Sequence, residues 1–518
     1  MAHTSRRDFL KLLAAFSANL ALSGFWPAHK ALSNGGGNER PNIIILLFDA
    51  MSARNLSVYG YARRTTPNLE RLAQRSSVYH SHYSGGNFTT PGTASLLTGM
   101  YPWTHRAFDE GGLVKRDLAD HNIFSLAGDE YYRAGFSQNI WADMFLAQFR
   151  TAIEEHIPMG TFKYADKFLD LFMDQSAAAD SALLYHAVDQ FLTLGAVHPW
   201  PGSLSLGYLN YLYISAHSGP DQPSKEYPFG HPNNVYYFYE HPTVMAGISN
   251  VVQKLATQTS GALGYFHLWT PHEPFRPRRE FVNIFPGITI INKPHHPLST
   301  TTRSPGDYAS IIERYDEYIA DIDSEFGKLL DRLEQSGILE NSYVIVTSDH
   351  GQLFERGVEY HTTPLLYDPI IHIPLIISEP GGGIHRDFHA PTSAVDVLPT
   401  LMYLAKKQLP KGLEGRLLPG FGGTEDMTRS IFTVEAKENS AFQPLTEATI
   451  SMIKGNMKMI YYTGYKGAYR NQFELYDLSN DIEELKNLIG KDQVAARQMQ
   501  DELLSALDLA NQPYAKNK

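Results

Sequence analysis

Asn42-Ile43-Ile44-Ile45-Leu46-Leu47-Phe48-Asp49 is an unbroken aliphatic run that ends in a carboxylate. A continuous β-branched and aliphatic stretch without polar alternation is the pattern of a central parallel strand covered on both faces. An acid directly after such a strand stands at its carboxyl end, where open α/β sheets bind ligands. Tyr343-Val344-Ile345-Val346-Thr347-Ser348-Asp349-His350 repeats the pattern about 300 positions later, and a shared sheet would bring the two tips to one site. A third run, Ile371-His372-Ile373-Pro374-Leu375-Ile376-Ile377, is a candidate neighbour in which Pro374 needs a bulge or an edge position.

Helical patterns lie between these strands. Thr90 to Thr98 follows the turn-prone Ser84-Gly85-Gly86-Asn87 and carries Pro91 near its start, the layout of a helix N-terminus. Ile312, Tyr315, Ile319, Ile322, Phe326, Leu329 and Leu333 recur at helical spacing, which predicts a long helix over Ile311 to Leu333 that covers the sheet. Residues 200–246, rich in Tyr, Pro and Gly, read either as a pocket-shaping insertion or as irregular surface. From about 400 the texture changes to alternating segments, Ser451 to Tyr462 and Gln472 to Leu478, followed by a helix near Val494 to Leu507. The expected fold is α/β: a mostly parallel central sheet covered by helices, with a smaller C-terminal subdomain containing an antiparallel sheet.

The chain has 518 residues, several times the roughly 150-residue domain prior, so a large main domain with an appendage fits. Its 44 basic and 55 acidic side chains, without any long Lys/Arg block, argue against a nucleic-acid partner. Zero Cys excludes a disulfide framework, a thiolate metal site and a cysteine nucleophile. Ser5-Arg6-Arg7-Asp8-Phe9-Leu10-Lys11 before the mildly apolar Leu12 to Trp26 has the layout of a twin-arginine export signal, which predicts a periplasmic or extracellular destination. An amphipathic N-terminal helix or an uncleaved anchor is the alternative for this stretch. No later segment has the ~20 consecutive apolar residues of a membrane span. The expected division is an export signal at 1–28, a flexible linker at 29–40, a catalytic domain at 41–400 and the C-terminal subdomain at 401–518.

Asp49, Asp349 and His350 are oxygen and nitrogen donors at strand ends, a set that suits one divalent ion, Zn²⁺ or Mn²⁺, with Ca²⁺ also open. Thr89 stands at the mouth of the predicted helix, where unpaired N–H groups and the helix dipole favour an anion. Its hydroxyl is a candidate fourth metal ligand and nucleophile; an ordinary N-cap is the plain alternative. His272, after Trp269-Thr270-Pro271, and His361, after Arg356-Gly357-Val358-Glu359-Tyr360, are candidates to hold a transferring oxyanion or protonate a leaving group. His105 is a weaker third, and His267 reads as a buried, hydrogen-bonded ring.

These residues resemble the sulfatase family within the alkaline phosphatase superfamily, from Pro41 to about Leu488. Pro41-Asn42 through Asp49 is similar to the family's opening strand and metal-binding aspartate. Thr65-Thr66-Pro67-Asn68-Leu69-Glu70-Arg71-Leu72-Ala73 is similar to the helix that follows it, and Thr89-Thr90-Pro91-Gly92-Thr93-Ala94-Ser95-Leu96-Leu97-Thr98-Gly99 to the nucleophile segment. Pro271-His272-Glu273-Pro274 resembles the substrate-side histidine motif, and Thr347-Ser348-Asp349-His350-Gly351 the second metal-binding segment. Val395-Asp396-Val397-Leu398-Pro399-Thr400 and Glu474-Leu475-Tyr476-Asp477-Leu478 complete the order.

The sequence also departs from the family's pattern. Thr89 occupies the position of the Cys or Ser that the family converts to formylglycine, so no formylglycine is expected. Thr93 stands where the family has Arg, Ala50 where it has a second opening Asp, and no lysine lies near Ile140-Trp141-Ala142-Asp143; His361 stands where typical members carry lysine. The remaining set resembles a single-metal branch that acts on phosphate diesters through a phosphothreonine. The resemblance therefore implies a hydrolase or transferase acting on phosphate diester or phosphonate esters, ahead of a sulfuric ester hydrolase and of a catalytically weak glycan- or lipid-binding relative. The expected partner is a small-molecule, lipid or glycan ester.

Overall fold

Strand β1, Asn42–Phe48, lies inside an eight-stranded sheet in the computed structural model, which describes residues 40–166, 220–258, 260–299, 305–491 and 493–515. The expected export signal and all but the last residue of the linker fall outside the described residues, as does the first part of the 200–246 insertion. The other strands of the sheet are β2 (Ser76–Tyr79), β4 (Tyr131–Ser137), β5 (Glu155–Ile157), β8 (Gly261–Leu268), β9 (Ser342–Thr347), β10 (Leu375–Ser378) and β11 (Arg386–Phe388). Their order is β11-β2-β10-β9-β1-β8-β4-β5. β1 pairs in parallel with both β8 and β9, which sets Leu47 beside His267 on one side and Thr347 on the other. The tips of three parallel strands thus end at one edge of the sheet, the geometry that forms a ligand crevice.

The side chains of β1 explain why its sequence is apolar throughout. Ile44, Leu46 and Phe48 enter one hydrophobic cluster, with Tyr315, Ile319, Ile322 and Phe326 of the helix Pro305–Gln335. Ile43, Ile45 and Leu47 enter a second cluster on the opposite face, with Leu96 and Leu97 of the helix Thr89–Thr98 and Leu398 and Leu401 of the helix Val397–Leu404. Successive strand side chains point to opposite faces, so two covered faces require an apolar residue at every position. The expected helix over 311–333 is present and longer at both ends.

The third expected strand is a neighbour of β9 but runs antiparallel to it and to β2. It begins at Leu375, so Pro374 needs no bulge; the Pro374 carbonyl accepts a hydrogen bond from Thr347 Oγ1 at 2.8 Å. Ile371, included in the expected strand, belongs instead to the short helix Asp368–Ile371.

Two short pairs, β3 (His82–Tyr83) with β12 (Thr392–Ser393) and β6 (Lys163–Asp166) with β7 (Tyr237–Tyr239), form two-stranded sheets separate from the main one. The C-terminal part is a four-stranded antiparallel sheet of β13 (Ser430–Glu435), β14 (Ala448–Lys454), β15 (Met457–Thr463) and β16 (Gln472–Asp477). The segment expected to be continuous from Ser451 to Tyr462 is a hairpin that reverses at Gly455, whose φ of 55° is in the left-handed region. One face of this sheet packs with Met499 and Leu503 of the helix Gln493–Asn511 and with Tyr101 and Trp103; the other packs against Leu365, Tyr367 and Ile370. The sheet is thereby part of the compact unit Arg40–Lys518, and the border expected at 400 falls within the helix Val397–Leu404.

Candidate functional site

Asp49 follows β1, Asp349 and His350 follow β9, and all three side chains are buried. Their ligand atoms lie within 4.8 Å of one another. Asp49 Oδ1, Asp349 Oδ2 and His350 Nε2 are buried atoms with no hydrogen-bond partner. Burial without a partner costs each of them about 1–3 kcal/mol or more when charged, which a cation among them would offset. Two oxygens and an imidazole nitrogen are also the donor chemistry of a divalent ion. The trio therefore fits such an ion.

The ionisation of the trio reflects the same shortage of positive charge. Burial pulls the Asp49 carboxyl upward, yet the charge of His272, the hydrogen bond with His267 and the His350 ring, whose Nε2 stands 3.4 Å from Asp49 Oδ1, hold it well below the usual carboxylate range. Asp349 is raised by burial and by the negative charge of Asp49. Burial opposes protonation of His350, but the two carboxylates outweigh it and push the ring up to about 9.

Thr89 is buried and is the first residue of its helix rather than the cap, a place taken by Phe88. Asn139, just beyond β4, donates from one Nδ2 to Thr89 Oγ1 at 3.0 Å and to Asp49 Oδ2 at 2.5 Å. Gly92 makes this approach of the helix possible, because a Cβ there would lie 2.3 Å from the Asp349 carbonyl oxygen. Ala50, in the position of the family's second aspartate, adopts φ 60° and donates its N–H to Asp349 Oδ1 at 3.2 Å. His267 Nε2 stands 3.2 Å from Asp49 Oδ2 and 3.7 Å from Asp349 Oδ2.

Above Thr89 opens a cavity of about 510 Å³, lined by Asn139, His272 and His361 among others. The His361 ring centroid lies 4.5 Å from that of His350 and 4.8 Å from that of His272. Gln352 Nε2 donates to Glu273 Oε2 at 2.7 Å, so its Oε1 accepts from His361 Nδ1 at 3.2 Å. His272 Nδ1 lies 2.9 Å from the Glu273 carbonyl. Each ring therefore has Nδ1 engaged and Nε2 left for the cavity. Burial, with the neighbouring His350 and His272, holds His361 well below its ordinary pKa.

The structure thus brings Asp49, Thr89, Asp349, His350, His272 and His361 to one crevice. His105 is elsewhere: it is fully buried, it pairs with Ser95 Oγ at 3.2 Å and the Ala107 N–H at 3.1 Å, and it does not line the cavity. His267 is the buried, hydrogen-bonded ring expected of it, and its bond to Asp49 makes it part of the centre as well. Asn139, Glu273 and Gln352 were not singled out from sequence. Asn139 had one local signal, since Asn after a strand and before a helical pattern is an N-cap, and it does accept from the Trp141 N–H at 2.9 Å.

Residues 41–407 match the family model described as Sulfatase. The chain is 23% identical over 513 residues to the uncharacterized sulfatase YidJ of Escherichia coli (strain K12), covering 92% of this chain and 89% of the relative. It is 27% identical over 497 residues to arylsulfatase K of Xenopus laevis, covering 92% and 84%. In three dimensions it is similar to the phosphonate monoester hydrolase of Agrobacterium radiobacter, with a TM-score of 0.65 at 20% identity, covering 91% of this chain and 96% of that one. No helix among the described residues is long and apolar enough to cross a membrane. A family match that runs from the opening strand through both acid-tipped segments makes this chain an ester hydrolase belonging to the sulfatase family of the alkaline phosphatase superfamily.

Proposed function

We propose that this hydrolase cleaves a singly charged tetrahedral ester, a sulfuric ester in first place, with Thr89 Oγ1 as the attacking oxygen. The observation that carries the reading is the double hydrogen bond of Asn139 Nδ2, which ties the Thr89 hydroxyl to Asp49 of the buried trio. The lysine of the lining, Lys437, is bound to Glu110 and His361 is held neutral, so the crevice brings little free positive charge to the ester, which suits a monoanionic ester better than a dianionic phosphate monoester. The family model and the sulfatases among the curated relatives support sulfur over phosphorus, the reverse of the order expected from sequence.

A divalent ion held by Asp49, Asp349 and His350, of which Zn²⁺ and Mn²⁺ suit the donors best, supplies positive charge that favours loss of a hydroxyl proton and stabilises charge on the ester oxygens. Thr89 Oγ1 forms a bond to sulfur as the bond from sulfur to the alcohol oxygen breaks. His272 Nε2 gives that departing oxygen a proton, and the proton released by Thr89 replaces it. Water then attacks the sulfur of the threonyl ester, with His361 Nε2 taking its proton and returning it to Thr89 Oγ1 as hydrogen sulfate leaves. Gln352 serves this step by fixing the His361 tautomer.

A phosphate diester or phosphonate monoester is the second reading, and Thr89 itself favours it. A threonyl ester has a single oxygen on Cβ, so its hydrolysis requires attack at the central atom, which phosphorus accepts more readily than sulfur. The structural likeness to a phosphonate monoester hydrolase supports the same reading. The arginine pair at residues 6 and 7 supports an exported enzyme.

A matched panel of aryl sulfate, phosphate monoester, phosphate diester and phosphonate, assayed with Mn²⁺ or Zn²⁺ on wild type and Thr89→Ala, tests the proposal. Sulfate turnover that Thr89→Ala abolishes, with a sulfo group found on Thr89 by mass spectrometry, is the expected result. Diester turnover with a phospho group on Thr89 replaces the first reading by the second, and turnover untouched by Thr89→Ala removes the mechanism.

A further inference from the structure

The cavity above Thr89 has a charge distribution that cleavage itself does not use. Its lining includes Glu110, Glu435, Glu438 and Glu447, the last three in and after β13. Glu435 is buried, accepting from the Lys437 N–H at 3.1 Å and the Tyr465 hydroxyl at 2.9 Å. Glu438 and Glu447 have no ion-pair partner among the described residues. The lysine in the lining, Lys437, gives its ammonium to Glu110 at 2.7 Å and adds no free positive charge. Negative charge is therefore in excess in the same cavity that must accommodate the departing alcohol of an ester held at Thr89.

Two independent observations carry the same sign. Asn87 is buried in the cavity lining and spends its Nδ2 hydrogens on the carbonyls of His361 at 3.3 Å and Thr363 at 2.7 Å. That fixes the amide and leaves Asn87 Oδ1 with no donor. A buried acceptor of this kind is satisfied by a ligand N–H or O–H and repels the oxygens of an anion. The second observation is Lys437 itself, whose Nζ sits 5.6 Å from the Phe88 ring centroid while bound to Glu110. The wall already accommodates an ammonium between a carboxylate and a ring face, and Trp141, Trp269 and Tyr465 add further rings.

We infer that the ester cleaved at Thr89 has an alcohol portion bearing an ammonium group, recognised by Glu438 and Glu447 together with the aromatic wall. This rests on the hydrolytic reading for the anionic end of the substrate and adds the identity of the other end. It also disfavours polyanionic saccharides, which would bring like charge to the same carboxylates.

The test compares wild type with the double variant Glu438→Gln, Glu447→Gln on 4-(aminomethyl)phenyl, 4-methylphenyl and 4-carboxyphenyl sulfates in the presence of Mn²⁺. Intrinsic leaving-group reactivity cancels in each ratio. KM for the ammonium substrate should rise about tenfold in the variant, stay within about twofold for the neutral one and fall for the carboxylate, and the effect should shrink with salt. Equal changes for all three overturn the inference. If no ester is turned over, the hydrolytic reading fails separately, and calorimetric binding still decides this one. Preference for 2-aminoethanesulfonate over 2-hydroxyethanesulfonate, lost in the double variant, sustains it; equal affinities overturn it.

Discussion

The Nδ2 of Asn139 lies 3.0 Å from the Oγ1 of Thr89 and holds that hydroxyl at the start of a helix whose residues are all buried. The pair predicts a graded series. Thr89→Ala should abolish turnover, Thr89→Ser should keep part of it because the hydroxyl persists, and Asn139→Ala should lower kcat by about 10²-fold, the usual loss on removing one oriented donor. Steady-state kinetics, with Tm as a control for folding, checks each step.

Divalent ions should stabilise the fold through the trio. Any ligand that binds only the folded state adds about 2.7 kcal/mol at a hundred times its Kd. Excess Mn²⁺ or Zn²⁺ should therefore raise the Tm of wild type, EDTA should reverse the rise, and Asp349→Asn or His350→Ala should remove it. A shift of equal size in those variants would place the ion elsewhere.

Gln352→Leu should separate tautomer from scaffold. The leucine cannot accept the His361 Nδ1 hydrogen, so kcat should fall about tenfold through loss of the oriented base while KM changes little. Restoration of activity in Gln352→Glu, which keeps an acceptor, would support positioning rather than packing.

His105 should matter to stability and not to turnover. Burial pushes its ring down to about 3, so the folded chain refuses a proton that the unfolded chain accepts near its ordinary 6.5. Its contribution is therefore complete above pH 6.5 and lost as the pH falls toward 3, at up to about 1.4 kcal/mol per pH unit. The Tm difference between wild type and His105→Asn should shrink on acidification across that window, with kcat unchanged at neutral pH.

Gly92→Ala should damage the site from behind. The added Cβ would lie 2.3 Å from the Asp349 carbonyl oxygen and 3.0 Å from its carbon, and backbone cannot swing away as a side chain can. A stability loss of about 1–3 kcal/mol and a weakened Tm response to divalent ions are expected.

What the sequence could express depended on range. β1 and β9 were legible because two covered faces demand an apolar residue at each position, and their acid tips followed directly. The direction of β10 was not, since pairing partners are chosen by contacts far along the chain rather than by the run 371–377 itself. The hairpin at Gly455 was hidden because alternation continues through both of its strands. At the site, the acids on strand ends are marked by the apolar runs before them, whereas Asn139, Gln352 and Glu273 act only through what they touch. His105 looked like its neighbours in composition, and only its place beneath the helix Thr89–Thr98 distinguishes it.

The pairing of β1 with β9 also has a consequence for biosynthesis. Asn42 is matched to Ser342 and Leu47 to Thr347, so Asp49 waits in the growing chain until its partner strand is made. About two thirds of the polypeptide must leave the ribosome before the trio can exist, and β10 must then pair with the open side of the new strand. Long-range pairing of this kind is slow and leaves unpaired edges exposed meanwhile. A nascent chain stalled short of residue 350 therefore holds Asp49 without its partners in the trio, and its unfinished sheet is the kind of exposed edge that chaperones bind.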